Sequence, residues 1–310
     1  MSAIFESIFP IFLLVVAGVV LKRWRAIEPG FWPGLEQFGY YVAFPALLFL
    51  TLYGADFSGL RIASVGAAVL ATLAMMMVLI LALWPVMNAR GVTASSFTTI
   101  FQTGIRWNGF VALAMAEKLH GTEGLALVAL VMALIIPPIN FACVGIMVFF
   151  GSGARNLAAF ALGLARNPLI LACLAGLAAR LLPFDIGGPA LQAVDLIAAT
   201  SLGLGLLMVG AGLRVGDALK PRPVVGVTAL VKLLVFPFLM IAVASAFGVT
   251  GDTLELLVLC AAVPTAMNGY LLARQMGGDA PLYAAITTIQ TAASFLTMPL
   301  ALWAAAYISG

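Results

Sequence analysis

Charge is scarce in this chain. Asp, Glu, Lys and Arg make up 9% of its 310 residues, and 64% are hydrophobic, whereas soluble domains carry about 25% charge and about 45–50% apolar residues. That composition excludes an ordinary soluble domain. Histidine occurs once, as His120, and a single histidine cannot build a histidine-rich metal cage. Cys143, Cys173 and Cys260 lie in apolar stretches, with no spacing that suggests a metal site or a disulfide framework. No Gly-Lys-Ser/Thr phosphate loop and no His-Glu-x-x-His helix is present, which leaves ATP-driven pumping and zinc proteolysis without support. Lipid-active transferases would call for clustered intramembrane aspartates, and these are missing as well. The expectation is a non-enzyme with no cofactor and no metal.

What is abundant is apolar sequence, with a mean hydropathy of +1.15. Runs near 4–21, 35–53, 62–87, 96–116, 124–150, 167–183, 189–213, 223–247, 254–273 and 281–308 each approach the roughly 20 residues that cross a bilayer as helix. Strand-length alternation is absent, so an all-α bundle is expected over an outer-membrane barrel. Basic residues follow the first run, at Lys22, Arg23 and Arg25, and do not precede it. It therefore reads as a retained helix and not a signal peptide. With sides alternating, the loops on that side also hold Arg90, Arg155, Arg166, Arg214, Lys220, Arg222 and Arg274; the other side holds Arg61, Lys118 and Arg180. The positive-inside rule then places both termini outside a cell (inner or plasma) membrane that the chain crosses many times. The net charge of +3 follows from that asymmetry and implies no nucleic-acid partner.

The chain also repeats itself. Trp107-Asn108-Gly109-Phe110 is echoed by Met267-Asn268-Gly269-Tyr270, 160 positions later. Pro10 to Lys22 aligns without gaps on Pro168 to Arg180 at 158 positions, and Pro138 matches Pro299 at 161. Two halves of about five helices follow, 1–150 and 167–310, with a short cytoplasmic linker at 151–166 that opens on Gly151-Ser152-Gly153. Because five is odd, the second half enters the membrane from the opposite side. An Asn-Gly pair is poor helix material. Equivalent interruptions in two inverted halves are the best sequence pointer to the binding site of a secondary transporter.

These residues, together with Phe9-Pro10-Ile11-Phe12, Tyr41-Val42-Ala43-Phe44-Pro45, Lys232 with Pro237, Pro264-Thr265-Ala266-Met267-Asn268 and Ala273-Arg274-Gln275, give a chain that resembles the auxin efflux carrier family, in a short-loop, bacterial-type form. The resemblance implies ten helices in two inverted repeats, with the fourth and ninth unwound where they cross. It further implies a scaffold and a moving transport domain, as in bile-acid/sodium symporters and sodium/proton antiporters. Organic-anion cargo such as indole acetate or malonate, efflux by an elevator motion, and a homodimer in the lipid bilayer are implied in the same way. The long hydrophilic loop of plant members is absent. Gly104 stands where the family often has a second proline opposite Pro264, which assigns the helix breaks to Gly104 with Gly109, and to Pro264.

The candidate substrate-binding residues are Arg106, Asn108, Gly109, Thr265, Asn268 and Gly269. Unwound backbone ends attract ions, an asparagine offers both donor and acceptor, and a guanidinium suits a carboxylate. The alternatives are that the asparagines cap broken ends and that Arg106 balances carbonyl dipoles. Lys232 and Asp195 are candidates for coupling or charge balance, Lys232 by capping a crossing helix or by titrating. Thr287, Thr291 and Ser294 form a stripe that would line the pathway or bond back to its own helix. The expected activity is secondary transport of a small organic anion. An anion channel and a transport-dead sensor of the same fold are the alternatives.

Overall fold

The computed structural model describes residues 2–57, 61–150, 166–181, 186–219 and 223–309. Residues 151–165, the body of the expected linker with Arg155, lie outside the described residues, as do Lys220 and Arg222. Every described regular element is helical, as lipid demands of a chain whose backbone groups must all be satisfied internally. In chain order they are α1 (Ser2–Arg23), α2 (Phe31–Gly54), α3 (Ile62–Ala89), α4 (Ala94–Ile105), α5 (Gly109–Phe150), α6 (Pro168–Ala179), α7 (Gly188–Gly212), α8 (Pro223–Ala246), α9 (Gly251–Ala262), α10 (Gly269–Gln275) and α11 (Ala280–Ser309).

At 42 residues, α5 as one rod would measure about 63 Å, twice the roughly 30 Å hydrocarbon core. It bends back at His120 and Gly121, whose dihedrals are not helical; Gly121 takes φ 56°, a region open to glycine. The fourth expected run is thus α4 with the first arm of α5, and the ninth is α9 with α10. In α2 and α8, a π-turn precedes a proline: Gly39–Ala43 before Pro45, and Val231–Val235 before Pro237. Proline cannot donate to the carbonyl four residues back and its ring crowds that group; the wider turn relieves both conflicts without ending the helix.

One group of helices pairs α1 with α7 and α2 with α6; a second gathers α3, α4, α5, α8, α9 and α11. The duplication reappears as packing. A Cβ on Gly18 would strike the Leu207 carbonyl, and one on Gly176 would strike the Phe49 carbonyl. Gly18 and Gly176 are 158 positions apart, and so are Phe49 and Leu207. Ser201 Oγ donates to the Ala43 carbonyl at 2.6 Å, again across 158 positions. Equivalent residues that touch each other lie at the pseudo-two-fold axis, so α2 and α7 meet there. This is the expected polytopic all-α fold built from inverted repeats.

The glycines of α7 are packing residues more than a hinge. Gly210 faces the Val15 carbonyl, Gly205 faces Phe44 and Phe110, and Gly212 faces Met267, while Gly203 meets open space. Gly210→Ala is expected to force α1 and α7 apart and to cost about 1–3 kcal/mol. Gly203→Ala should be neutral or slightly stabilising. Thermal unfolding of both variants in detergent checks the contrast.

Candidate functional site

The two interruptions are built differently. The second spans Val263 to Asn268. Val263 is extended (φ −64°, ψ 148°), because the residue before a proline is pushed out of the helical region and Pro264 follows. The first spans only Arg106 to Asn108, with Arg106 extended (φ −69°, ψ 155°). Gly104 does not break the helix as expected. It is the penultimate residue of α4, pressed against the Ile80 side chain; a glycine permits a close approach without forcing a break, whereas a proline dictates one. The next helix starts because Asn108 Oδ1 accepts from the backbone N–H of Phe110 and Val111, at 3.2 and 3.3 Å.

The breaks meet at one carbonyl. Thr265 Oγ1 donates to the Thr103 carbonyl at 2.6 Å and also lies 3.3 Å from the Arg106 carbonyl. Gln290, on α11, spans both: its Nε2 donates to the Thr103 carbonyl at 3.1 Å, and its Oε1 accepts from Thr265 N–H at 3.0 Å. All three side chains are fully buried. The C-terminal end of α9 is satisfied by a charge instead. Lys232, in the π-turn of α8 and fully buried, donates from Nζ to the Ala261 carbonyl at 2.8 Å and sits 4.4 Å from the centre of the Phe236 ring. A donor there satisfies a carbonyl freed at the helix C-terminus, a contact open to both of the roles expected for Lys232. Its repeat equivalent is Thr72, which bonds its own helix at the Ala68 carbonyl.

Arg106 projects from the C-terminal end of α4 and is 7% exposed. Nη2 donates to Asn140 Oδ1 at 3.1 Å, and Nε is buried without a partner. Among the described residues no carboxylate forms an ion pair with it. Gln102 Oε1, one turn earlier on α4, and Thr287 Oγ1, on α11, are also buried without partners. A crevice between α3, α4, α5, α8 and α9, lined by residues including Leu73, Ile105, Trp107 and Phe236, holds about 20 Å³. That is room for about one water and not for an organic acid.

The sequence-picked residues therefore separate. Arg106, Asn108, Thr265 and Lys232 are buried in or against the interruptions. Asn268 is exposed and makes no side-chain cap. Gly109 leaves room for Met132, and Gly269 lets the Tyr283 ring approach so that Tyr283 Oη donates to the Ala266 carbonyl at 2.7 Å. Thr291 and Ser294 bond back to their own helix, at the carbonyls of Thr287 and Thr291, so their hydroxyls do not line a pathway here; burial in a helix-packed face leaves the preceding turn as the available acceptor. Asp195 is exposed on α7 and forms no ion pair among the described residues, which removes the burial a proton relay would need. Sequence reasoning missed Gln290, Asn140 and Tyr283. Gln290 was within reach: it stands beside Thr291 and one turn from Thr287, in an otherwise apolar run.

Asn108→Ala is expected to lose about 0.5–2 kcal/mol with its cap, while Asn268→Ala stays within about 0.5 kcal/mol. Gln290→Leu leaves the Thr265 N–H unpaired and should cost about 1–3 kcal/mol. Detergent unfolding of the three variants separates these outcomes.

A family model described as membrane transport protein matches residues 3–302. A protein of Rhizobium meliloti (strain 1021) described as "Putative malonate transporter" is 26% identical over 303 residues, covering 89% of this chain and 88% of that protein.

Proposed function

The chain belongs to the membrane transport protein family, that of the auxin efflux carriers, and from that premise we propose that it is a secondary carrier of a small organic anion with Arg106 as the anion's anchor. The observation that carries this reading is a buried guanidinium with an unpartnered Nε and no ion-paired carboxylate among the described residues, set where two interrupted helices meet. Arginine cannot be neutralised by losing a proton. An unpaired charge at membrane depth costs several kcal/mol, and a bound carboxylate would offset that cost with charge-assisted bonds to the guanidinium. Gln102 and Thr287 supply an acceptor and a hydroxyl for the remainder of a polar cargo. The name of the Rhizobium meliloti relative points to the same class, a short carboxylic acid.

In this reading the conformation is a shut one, since the crevice beside Trp107 admits no organic acid. The group α3, α4, α5, α8, α9 and α11 carries the site and moves as an elevator against α1, α2, α6 and α7. Phe44 of α2, stacked at 4.0 Å on Phe110 beside the first interruption, lies on the sliding surface. Repeats at 1–150 and 167–310, a cytoplasmic linker, termini outside the cell membrane, efflux and a homodimer complete the proposal. Lys232, already committed to the Ala261 carbonyl, balances charge and does not couple protons; transport by Lys232→Gln, if it folds, should retain its dependence on a pH gradient.

The test is binding and counterflow with a panel of malonate, other short dicarboxylates, aliphatic monocarboxylates and indole acetate. A cargo should stabilise the purified protein thermally and exchange saturably in liposomes. Arg106→Gln should weaken binding about 100-fold, as loss of one partner of a buried charge pair costs about 2–5 kcal/mol. Unchanged affinity in that variant would sink the anchor, and non-saturable flux would make the protein a channel.

A further inference from the structure

The two interruptions are clasped at their far ends by side-chain triads of different chemistry. The first comprises Thr93 and Ser96, at the start of α4, and Asp279, at the turn before α11. Ser96 Oγ donates to Asp279 Oδ2 at 3.0 Å, and Thr93 Oγ1 caps Ser96 N–H at 3.2 Å. Ser95 Oγ and Thr99 Oγ1 reinforce the contact through the carbonyls of Gly277 and Asp279, at 2.8 and 3.2 Å. At the other end the bend of α5 supplies His120, and the start of α9 supplies Asp252 and Glu255. Those three residues also meet: His120 Nε2 lies 3.4 Å from Glu255 Oε2, and Nδ1 lies 3.7 Å from Asp252 Oδ2. The same join between one half's turn and the other half's broken helix thus occurs twice. A hydroxyl and a carboxylate make it at one end, an imidazole and two carboxylates at the other.

We propose that His120, Glu255 and Asp252 form a proton-binding clasp that ties the bend of α5 to the first turn of α9 when the ring is protonated and releases them when it is not. The geometry selects the proton as occupant. The two carboxylates face different ring nitrogens, so only an imidazolium, with N–H on both, satisfies both. One nitrogen with the two carboxylates could also gather around a metal ion, whereas the contacts here are split between the two nitrogens. Nε2 is buried and faces Glu255 Oε2 at 3.4 Å. Of the charged groups nearby, Glu255 and Asp252 of α9 act on the ring, while Glu117, Lys118 and Glu123 flank it on α5 and are exposed.

The hydrogen bond to Glu255, then the charges of Glu255 and Asp252, raise the His120 pKa above that of a free histidine, against partial burial. The sign follows. The clasp's stabilisation is fully present below the unfolded pKa of about 6.5 and is lost as pH rises through the higher folded pKa. The arms joined by the clasp leave the two interruptions toward the same face, the exterior in the proposed orientation. Acidity on that face alone would hold the crossing shut. The clasp does not depend on which cargo Arg106 binds.

His120 is the chain's only histidine, so its carbon-13 signal titrates alone in protein carrying a histidine-free affinity tag. The expected midpoint lies above about 6.5, falls in Glu255→Gln and falls less in Asp252→Asn, since Asp252 is the more exposed. In parallel, the native protein should gain thermal stability from pH 8.5 to 5.5, and His120→Gln should lose that gain. Ser96→Ala should lower stability equally at both pH values. A midpoint at or below that of free histidine, or one unmoved by Glu255→Gln, overturns the clasp. So does one equivalent of zinc abolishing the titration, which would make the triad a metal site.

Discussion

Inside a bilayer an unpaired backbone group has no water to turn to, and every break in a helix exposes several. The fold depends on how its two breaks meet that demand. The carbonyl of Thr103, freed at the end of α4, receives Thr265 Oγ1 from the second break and Gln290 Nε2 from α11, while Gln290 Oε1 takes the N–H of Thr265. Each interruption is made tolerable by the other. The meeting of the two breaks depends on groups from both halves of the chain.

The remaining charges fall into place around that knot. Lys22 closes the end of α7 through the Ala211 carbonyl and Lys232 closes the end of α9 through Ala261, both using a cation where the macrodipole is negative. Arg106 is the exception. It lies at the end of α4, but its guanidinium reaches Asn140 on α5 and leaves Nε unmet. Among the described residues, Lys232 is matched to a helix end while the Arg106 Nε is left without a partner, the observation on which the proposed anion site rests.

The pseudo-two-fold symmetry is close in the packing and loose in the chemistry. The Gly18–Leu207 and Gly176–Phe49 contacts are copies of one another, because close backbone approach tolerates only glycine and leaves little to diverge. Thr72 and Lys232, 160 positions apart, carry unlike side chains. The close backbone contacts repeat between the halves while the side-chain chemistry differs.

Hydrophobic run length fixed the helices in advance, because the bilayer core sets how long an apolar segment must be, and the spacing of Asn108 and Asn268 located both interruptions. Pro264 was legible for the same reason: proline acts on its own neighbour. Gly104 was misread as a break because a glycine allows a bend or a close contact equally, and the choice fell to Ile80, far away in sequence. Whether an asparagine caps, whether a threonine faces a path or its own helix, and which polar group on α11 joins the breaks were decided by partners from other helices. Local stiffness and solvent dictate the elements; the pairing of buried polar groups is a long-range matter, and only the folded chain brings Gln290, Thr103 and Thr265 to one point.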